Sequence, residues 1–316
     1  MKKNKICVIG AGKWGKNHIK TLKKLEILGG IIDKDPKNLA SLKSKYPKVS
    51  CYDSYKSSLK ENFDGYIIST PSITHAAIAK KILFDRKPVL VEKPLSLNLR
   101  DALEIKSILN ETNGKLLVGH LLLLHPAIIR LKELISNGKI GKIQYIYSNR
   151  LNLGTIRKDE NVFWSFAPHD LALFQYFTTS FPNEVFSVGG DFLQKDIHDT
   201  TMTYFKYPND IHGHIYVSWL HPFKEHRLVI IGSKGSLHFE SKTFGDELFF
   251  YKKLKKIKDV DPQKISFSSV KPLLNQLKYF NNVINGEKII INGIDDAIDV
   301  IKLLEIATNS LENIKK

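Results

Sequence analysis

The chain has 316 residues, 42% of them hydrophobic and 25% charged, with a formal net charge of +16 at pH 7. That composition excludes a disordered chain, and a length beyond one ordinary core predicts two domains, residues 1–121 and 122–316. Only six of the 48 basic residues are arginine, so the charge reads as dispersed surface lysine rather than a nucleic-acid footprint, although its field can steer an anionic small substrate.

Lys2, Lys3 and Lys5 run directly into the apolar strand Ile6-Cys7-Val8-Ile9, leaving no room for the apolar stretch of a secretory leader. No apolar run approaches a membrane span, so the expected compartment is the cytoplasm. The strand leads into Gly10-Ala11-Gly12-Lys13-Trp14-Gly15 and then a helix with Trp14, His18, Leu22 and Leu25 on one face. A second strand, 27–32, ends at Asp33. This is the dinucleotide-binding fingerprint in its proper context: glycines for a tight turn and close approach to a pyrophosphate, a helix N-terminus for its charge, and an acid for the ribose hydroxyls. Because Asp33 repels a 2′-phosphate, NAD is expected over NADP.

Further strands are expected at 49–52, 66–69, 89–91 and 116–119, with helices after Pro36, Ser72 and Ser96, giving a parallel, doubly wound α/β sheet of Rossmann type. Cys7 and Cys51 read as small apolar residues in a reducing compartment, and neither has a ligand-spaced neighbour, so no metal is expected. Beyond a helix at 126–136 the rhythm changes. Strands at 143–149, 185–190, 201–207, 211–219, 228–231, 237–240 and 248–251 follow one another through turns, with helices at 164–177, 273–284 and 295–311. This predicts an α+β domain with a large, mainly antiparallel open sheet. Residues 252–258 read as a lysine-rich loop.

Ligands of open α/β sheets lie outside the carboxyl ends of the strands. Three such ends carry polar residues: Ser69-Thr70-Pro71-Ser72-Ile73-Thr74-His75, Glu92-Lys93-Pro94 and Gly119-His120. Ser69, Thr70, Pro71, His75, Glu92, Lys93 and His120 are therefore candidates for the cofactor site, with Gly10, Gly12, Lys13, Trp14, Gly15 and Asp33.

The ordered set Gly10-x-Gly12-x-x-Gly15, Thr70-Pro71-x-x-x-His75, Glu92-Lys93-Pro94 and a later His169-Asp170, ahead of an antiparallel-sheet domain, resembles the Gfo/Idh/MocA oxidoreductases over essentially the whole chain. The resemblance implies NAD(P)-dependent oxidation of a secondary alcohol on a sugar or cyclitol, with Lys93 at the catalytic centre and His169 close to the reacting hydroxyl. It also implies a homodimer or homotetramer. Such chemistry needs a proton acceptor and a group that stabilises alkoxide character. Imidazole titrates in the right range, which favours His169 as base and Lys93 as stabiliser; the reverse assignment stays open. Where members of that family typically carry an aspartate four residues before the histidine, this chain has Ser165, which cannot stabilise an imidazolium electrostatically. Asp170 reads as structural.

The segment Asn149-Arg150-Leu151-Asn152-Leu153-Gly154-Thr155-Ile156-Arg157 is read as leaving a strand for a loop. Arg150 and Arg157 suit a diphosphate, Asn152 sugar hydroxyls, and Trp164 a stacking surface. Lys93, His120, Ser165 and His169 complete the expected substrate contacts, while His125, before Pro126 at a helix start, reads as structural. The Arg-x-Asn-x-Gly and Trp-x-x-x-Pro-His-Asp stretches resemble the sugar-nucleotide 3-dehydrogenases of the family. They imply oxidation of a UDP-sugar, with UDP-N-acetylglucosamine foremost, ahead of a pyridoxal-phosphate aminotransferase in the making of a lipid A diamino sugar. A uronic-acid counterpart, a free sugar or inositol, and an NAD-binding sensor without turnover are the alternatives. The stretch 218–224 resembles that group as well, with no role assigned.

Overall fold

Every residue of β1 (Ile6–Ile9) is buried, as a central parallel strand covered on both faces requires. A computed structural model describes residues 3–158, 160–242, 245–253 and 262–314, and the chain divides into two compact units: Met1–Leu121 with Lys271–Ile301, and Leu122–Val270 with Lys302–Lys316. In the first unit α1 (Gly15–Lys24), β2 (Leu28–Ile32), α2 (Pro36–Lys45), β3 (Ser50–Tyr52), α3 (Tyr55–Ser58), β4 (Gly65–Ile68), α4 (His75–Phe84), β5 (Val89–Val91), α5 (Leu99–Thr112) and β6 (Leu116–Val118) alternate. The six strands are all parallel, in the order β3-β2-β1-β4-β5-β6. Strand order reverses at β1 and β4, the place where such sheets bind nucleotides.

Register decides which residues meet there. Ile9 pairs with Ile32 and Ile68, and Val91 with Ile68 and Val118. The residues that follow, Gly10, Asp33, Ser69, Glu92 and Gly119, therefore emerge along one edge of the sheet.

A single cut after residue 121 misses part of this unit. Helix α9 of the return segment (Pro272–Ile284) buries Leu277, Phe280 and Val283 in the same core as Ile6, Val8, Ile31 and Ile67. Its ties are polar too: Lys115 Nζ donates to the Val283 carbonyl at 2.7 Å, and the Val118 N–H donates to the Asn292 carbonyl at 2.8 Å. Apolar positions spaced along a helix announce that it is buried but not against which partner, so the assignment to a domain was not legible.

The second unit contains α6 (Pro126–Ser136), β7 (Ile143–Leu153), α7 (Val162–Phe166), α8 (Pro168–Thr178), β8 (Glu184–Gly190), β9 (Thr200–Tyr207), β10 (Ile211–Ser218), β11 (Leu220–Gly232), β12 (Gly235–Lys242), β13 (Gly245–Lys252) and β14 (Gln263–Lys264). Its eight strands run β14-β13-β12-β11-β7-β10-β9-β8 and are antiparallel except where β7 meets β10. Ile146, Phe205, Ile215 and Ile230 point inward, and Phe174 of α8 meets Phe205 edge-on at 5.8 Å. The last helix, α10 (Ile294–Ile314), starts in the first unit's residues and ends in the second's.

Three expectations need correction. Strand β7 continues to Leu153, so Asn149 to Asn152 are sheet residues; pairing with the first half of β11, itself longer than 228–231, supplies the hydrogen bonds that keep them extended. The helix expected at 164–177 is broken into α7 and α8, because Pro168 offers no N–H to continue the ladder. Of the lysine-rich segment, Lys252 ends β13, and 254–258 lie outside the described residues. Among the described residues, no helix is long and apolar enough to cross a membrane.

Truncating Phe280 to alanine should destabilise the protein by roughly 3–5 kcal/mol, as for other large core deletions. Chemical denaturation reads this directly; an unshifted midpoint would remove α9 from the first unit's core.

Candidate active site

The turn after β1 has the shape of a phosphate cradle. Gly10 sits at φ +89°, and a Cβ there would lie 2.7 Å from the Ser69 carbonyl oxygen; one on Gly15 would lie 1.9 Å from the Gly10 oxygen. Both positions admit only glycine. Around Gly12, by contrast, a Cβ would meet nothing within 4 Å, so the backbone there is open to an approaching group. Helix α1 follows Trp14, which provides no side-chain cap; Lys16 and Asn17 N–H donate to the Gly12 and Trp14 carbonyls at 3.0 and 2.8 Å, and the positive end of the helix faces the turn, where it favours an anion. Lys13 and Gly12 are exposed beside it.

Asp33, at the end of β2, is tied into this turn. Its Oδ2 accepts the Ala11 N–H at 2.7 Å and the Asn38 amide at 3.0 Å, and its Oδ1 accepts the Asp35 N–H at 2.9 Å. A carboxylate offers roughly four acceptor positions, so one remains for a ribose hydroxyl. These residues fit an NAD molecule. Replacing Asp33 by alanine should weaken NAD binding by about tenfold or more and narrow the discrimination against NADP, given the ~1.5–3 kcal/mol of a charged hydrogen bond; calorimetry with both dinucleotides checks it.

Glu92 connects the cradle to the loop after β5. Its Oε1 accepts from the Trp14 indole N–H and from His18 Nε2, both at 2.6 Å. Burial pushes the Glu92 carboxyl up, but the hydrogen bond and charge of His18, with Trp14 and His75, bring it below the usual range. Glu92 and Trp14, both expected at the cofactor, thus also bond each other. His75 is buried, with its Nδ1 2.7 Å from the Pro94 carbonyl oxygen and its Nε2 2.9 Å from the Thr70 carbonyl oxygen. It joins the loops that carry Ser69-Thr70-Pro71 and Lys93-Pro94, the latter a cis peptide. Lys93 therefore stands between two anchored neighbours.

His120 is buried at the same edge. Burial, then the Lys93 charge, push its ring down to about 4, against a smaller opposing effect of Glu92. An unfolded ring takes up a proton near pH 6.5 that the native ring refuses, so stability falls as pH drops from about 6.5 to about 4, by roughly 3 kcal/mol in all. Urea unfolding against pH should show this loss, and His120→Phe should flatten it.

Several candidates of the second unit have other work. The Arg150 guanidinium forks onto Asp170, Nε to Oδ2 at 2.6 Å and Nη2 to Oδ1 at 3.0 Å, and Ser148 Oγ donates to Oδ1 at 2.6 Å. Arg150 is thus a sheet-to-helix tie, and Asp170 is structural. The Trp164 indole N–H donates to Thr308 Oγ1 at 3.0 Å, anchoring α7 on α10. Arg157 lies half-exposed in the loop after β7, 3.7 Å from Glu160, and does not join Arg150. Asn152 approaches His226, Nδ2 to Nε2 at 3.4 Å. Ser165 is buried on α7, and His169 is partly buried at the start of α8.

His125 caps α6: its Nδ1 accepts the Ala127 N–H, so Nε2 carries the proton and donates to Asp246 at 2.9 Å. In the 218–224 stretch, Trp219 is fully buried with its indole N–H on Asp199 at 2.6 Å. Sequence reading missed His226, whose ring burial, Arg150 and Lys224 push down to about 3; lying in an expected turn, it had no pattern to mark it. Among the described residues, no cluster of three or more His, Cys, Asp or Glu could hold a metal ion.

Residues 4–120 match the model of an oxidoreductase family with an NAD-binding Rossmann fold, and residues 128–238 match the GFO/IDH/MocA C-terminal domain. A UDP-N-acetylglucosamine 3-dehydrogenase of Acidithiobacillus ferrooxidans is 28% identical over 183 residues, 58% of this chain and 56% of that one, so the chain spans little more than half the length of that relative. A myo-inositol 2-dehydrogenase of Thermotoga maritima is 26% identical, covering 74% of each chain. A solved structure of UDP-N-acetylglucosamine 3-dehydrogenase from A. ferrooxidans superposes with a TM-score of 0.89 at 22% identity, covering 99% of both chains; at that identity the likeness speaks for the fold.

Proposed function

As a member of the Gfo/Idh/MocA oxidoreductases with an NAD-binding Rossmann domain, this chain works with NAD, and we propose that it oxidises the C3 hydroxyl of a UDP-sugar, UDP-N-acetylglucosamine foremost. The observation that carries the reading is the clamped Glu92-Lys93-Pro94 loop, with Glu92 held by Trp14 and His18 and Pro94 by His75, at the edge where the phosphate cradle opens. The sugar-nucleotide part draws support from the dehydrogenase relative.

NAD, when bound, supplies the hydride acceptor. The chain's own part concerns the hydroxyl proton. In this reading His169 takes that proton, Lys93 holds the oxygen as negative charge develops, and neutral His120 donates or accepts one hydrogen bond near Lys93. Ser165 gives the His169 ring no charge to lean on, which leaves Lys93 the larger share of the electrostatic stabilisation. A pyridoxal-phosphate aminotransferase consuming the ketone fits this product, and the expected setting is the cytoplasm. A homo-oligomer fits the sheet face that exposes Phe186, Val188 and Met202.

One observation favours a second reading. Arg150 is committed to Asp170 rather than to a phosphate, and an inositol dehydrogenase is among the relatives, so a free cyclitol or sugar is the rival substrate.

Incubation with NAD and UDP-N-acetylglucosamine should raise NADH absorbance and yield a product two hydrogens lighter by mass spectrometry, whereas myo-inositol should not. Lys93→Met should bind NAD normally and lose turnover by about a hundred- to a thousandfold, the scale of a lost electrostatic stabiliser. An active K93M enzyme would falsify the mechanism; turnover of inositol alone would transfer the reading to its rival.

A further inference from the structure

The second unit contains a cavity of about 60 Å³ between its sheet and the α6 and α8 side of the fold. At roughly 10–15 Å³ for each water-sized sphere, that is room for about four heavy atoms. Its lining has two characters. Leu122, Leu173, Leu228 and Phe239 supply an apolar part. Arg150, His226, Arg227 and Ser241 supply a polar part.

The polar part carries little uncompensated charge. Arg150 is forked onto Asp170, while Arg227 lies 3.3 Å from Glu240 and 3.6 Å from Glu225. Three carboxylates, Asp170, Glu225 and Glu240, thus stand against two guanidinium groups, which disfavours a phosphate or carboxylate here. Hydrogen-bonding capacity is nevertheless left over. Arg227, which lines the cavity, has its Nε buried with no acceptor among the described residues. A buried donor without a partner is costly, so the site favours a small neutral group that offers a carbonyl and has an apolar end.

We propose that this cavity seats the acetamido group of a 2-acetamido sugar, its carbonyl on the arginine side and its methyl among Leu122, Leu173, Leu228 and Phe239. The group matches the cavity in size, neutrality and division into polar and apolar ends. This assignment rests on the sugar-nucleotide reading above but makes a separate claim about how the sugar is selected.

The test uses the NAD-loaded protein. Titration with N-acetylglucosamine should move the methyl resonances of Leu173 and Leu228 saturably, and glucose at the same concentration should not; equal responses to both, or none, overturn the assignment. Calorimetry should show UDP-N-acetylglucosamine binding at least about tenfold tighter than UDP-glucose, since one buried methyl-sized group is worth 10–200-fold. Ser241→Leu and Leu173→Phe, which fill the cavity from different walls, should reduce that ratio to within about threefold, with circular dichroism confirming the fold. If the ratio survives in the folded variants, the cavity is not the acyl site although the sugar-nucleotide reading stands. If no UDP-sugar binds while N-acetylglucosamine still moves the methyls, the cavity assignment stands and the sugar-nucleotide reading falls.

Discussion

One carboxylate oxygen, Glu92 Oε1, carries two hydrogen bonds on which the geometry of the first unit's edge depends. Trp14 and His18 lie one helical turn apart on α1, so both reach the same atom from the same side. The helix that would cradle the cofactor phosphates and the loop that carries Lys93 are therefore fixed to each other by side chains, beyond what strand pairing alone provides. His75 does the equivalent on the other flank, between the loops after β4 and β5. The ammonium group inherits its position from both.

The sequence is most legible where local stereochemistry leaves no choice. Gly10 and Gly15 stand where any larger residue collides with backbone, and short runs of buried aliphatics announce parallel strands. Polar residues were harder to place, because their type does not reveal their partner. Arg150 has the chemistry of a phosphate ligand, yet Asp170 lies 20 residues on and meets it only through the packing of α8 on β7. Trp164 presents a stacking surface, but its N–H finds Thr308, 144 residues away. The sequence offers Glu92, His75 and Trp14 as candidates for the site, while the Trp14–Glu92 bond and the contacts of His75 with Pro94 and Thr70 are visible only in three dimensions.

Strand β7 explains the other divergence. It is read as ending at Asn149 because Asn, Arg and Gly-containing segments usually mark turns. In the fold it is the shared strand between β11 and β10, parallel to one and antiparallel to the other. Pairing on both sides outweighs weak local preference, and the extension places Ser148, Arg150 and Asn152 on successive same-side positions. The face of the second unit's sheet that looks toward α8 thereby becomes polar at one end and apolar at the other.

The return of residues 271–301 to the first unit carries a consequence for biogenesis. A chain emerging from the ribosome would finish all six strands of the nucleotide-binding sheet early, yet lack the Leu277, Phe280 and Val283 cover of their core until nearly everything else had been made. Domains that are contiguous in sequence can mature in order during translation; here the first half to be synthesised must wait as a partly uncovered sheet while the second is being built. Vectorial synthesis thus leaves both cores open until the final helices are made, because residues 302–316 complete the second unit as 271–301 complete the first, and the nascent chain's window of vulnerability to aggregation is set by its last helices rather than its first strands.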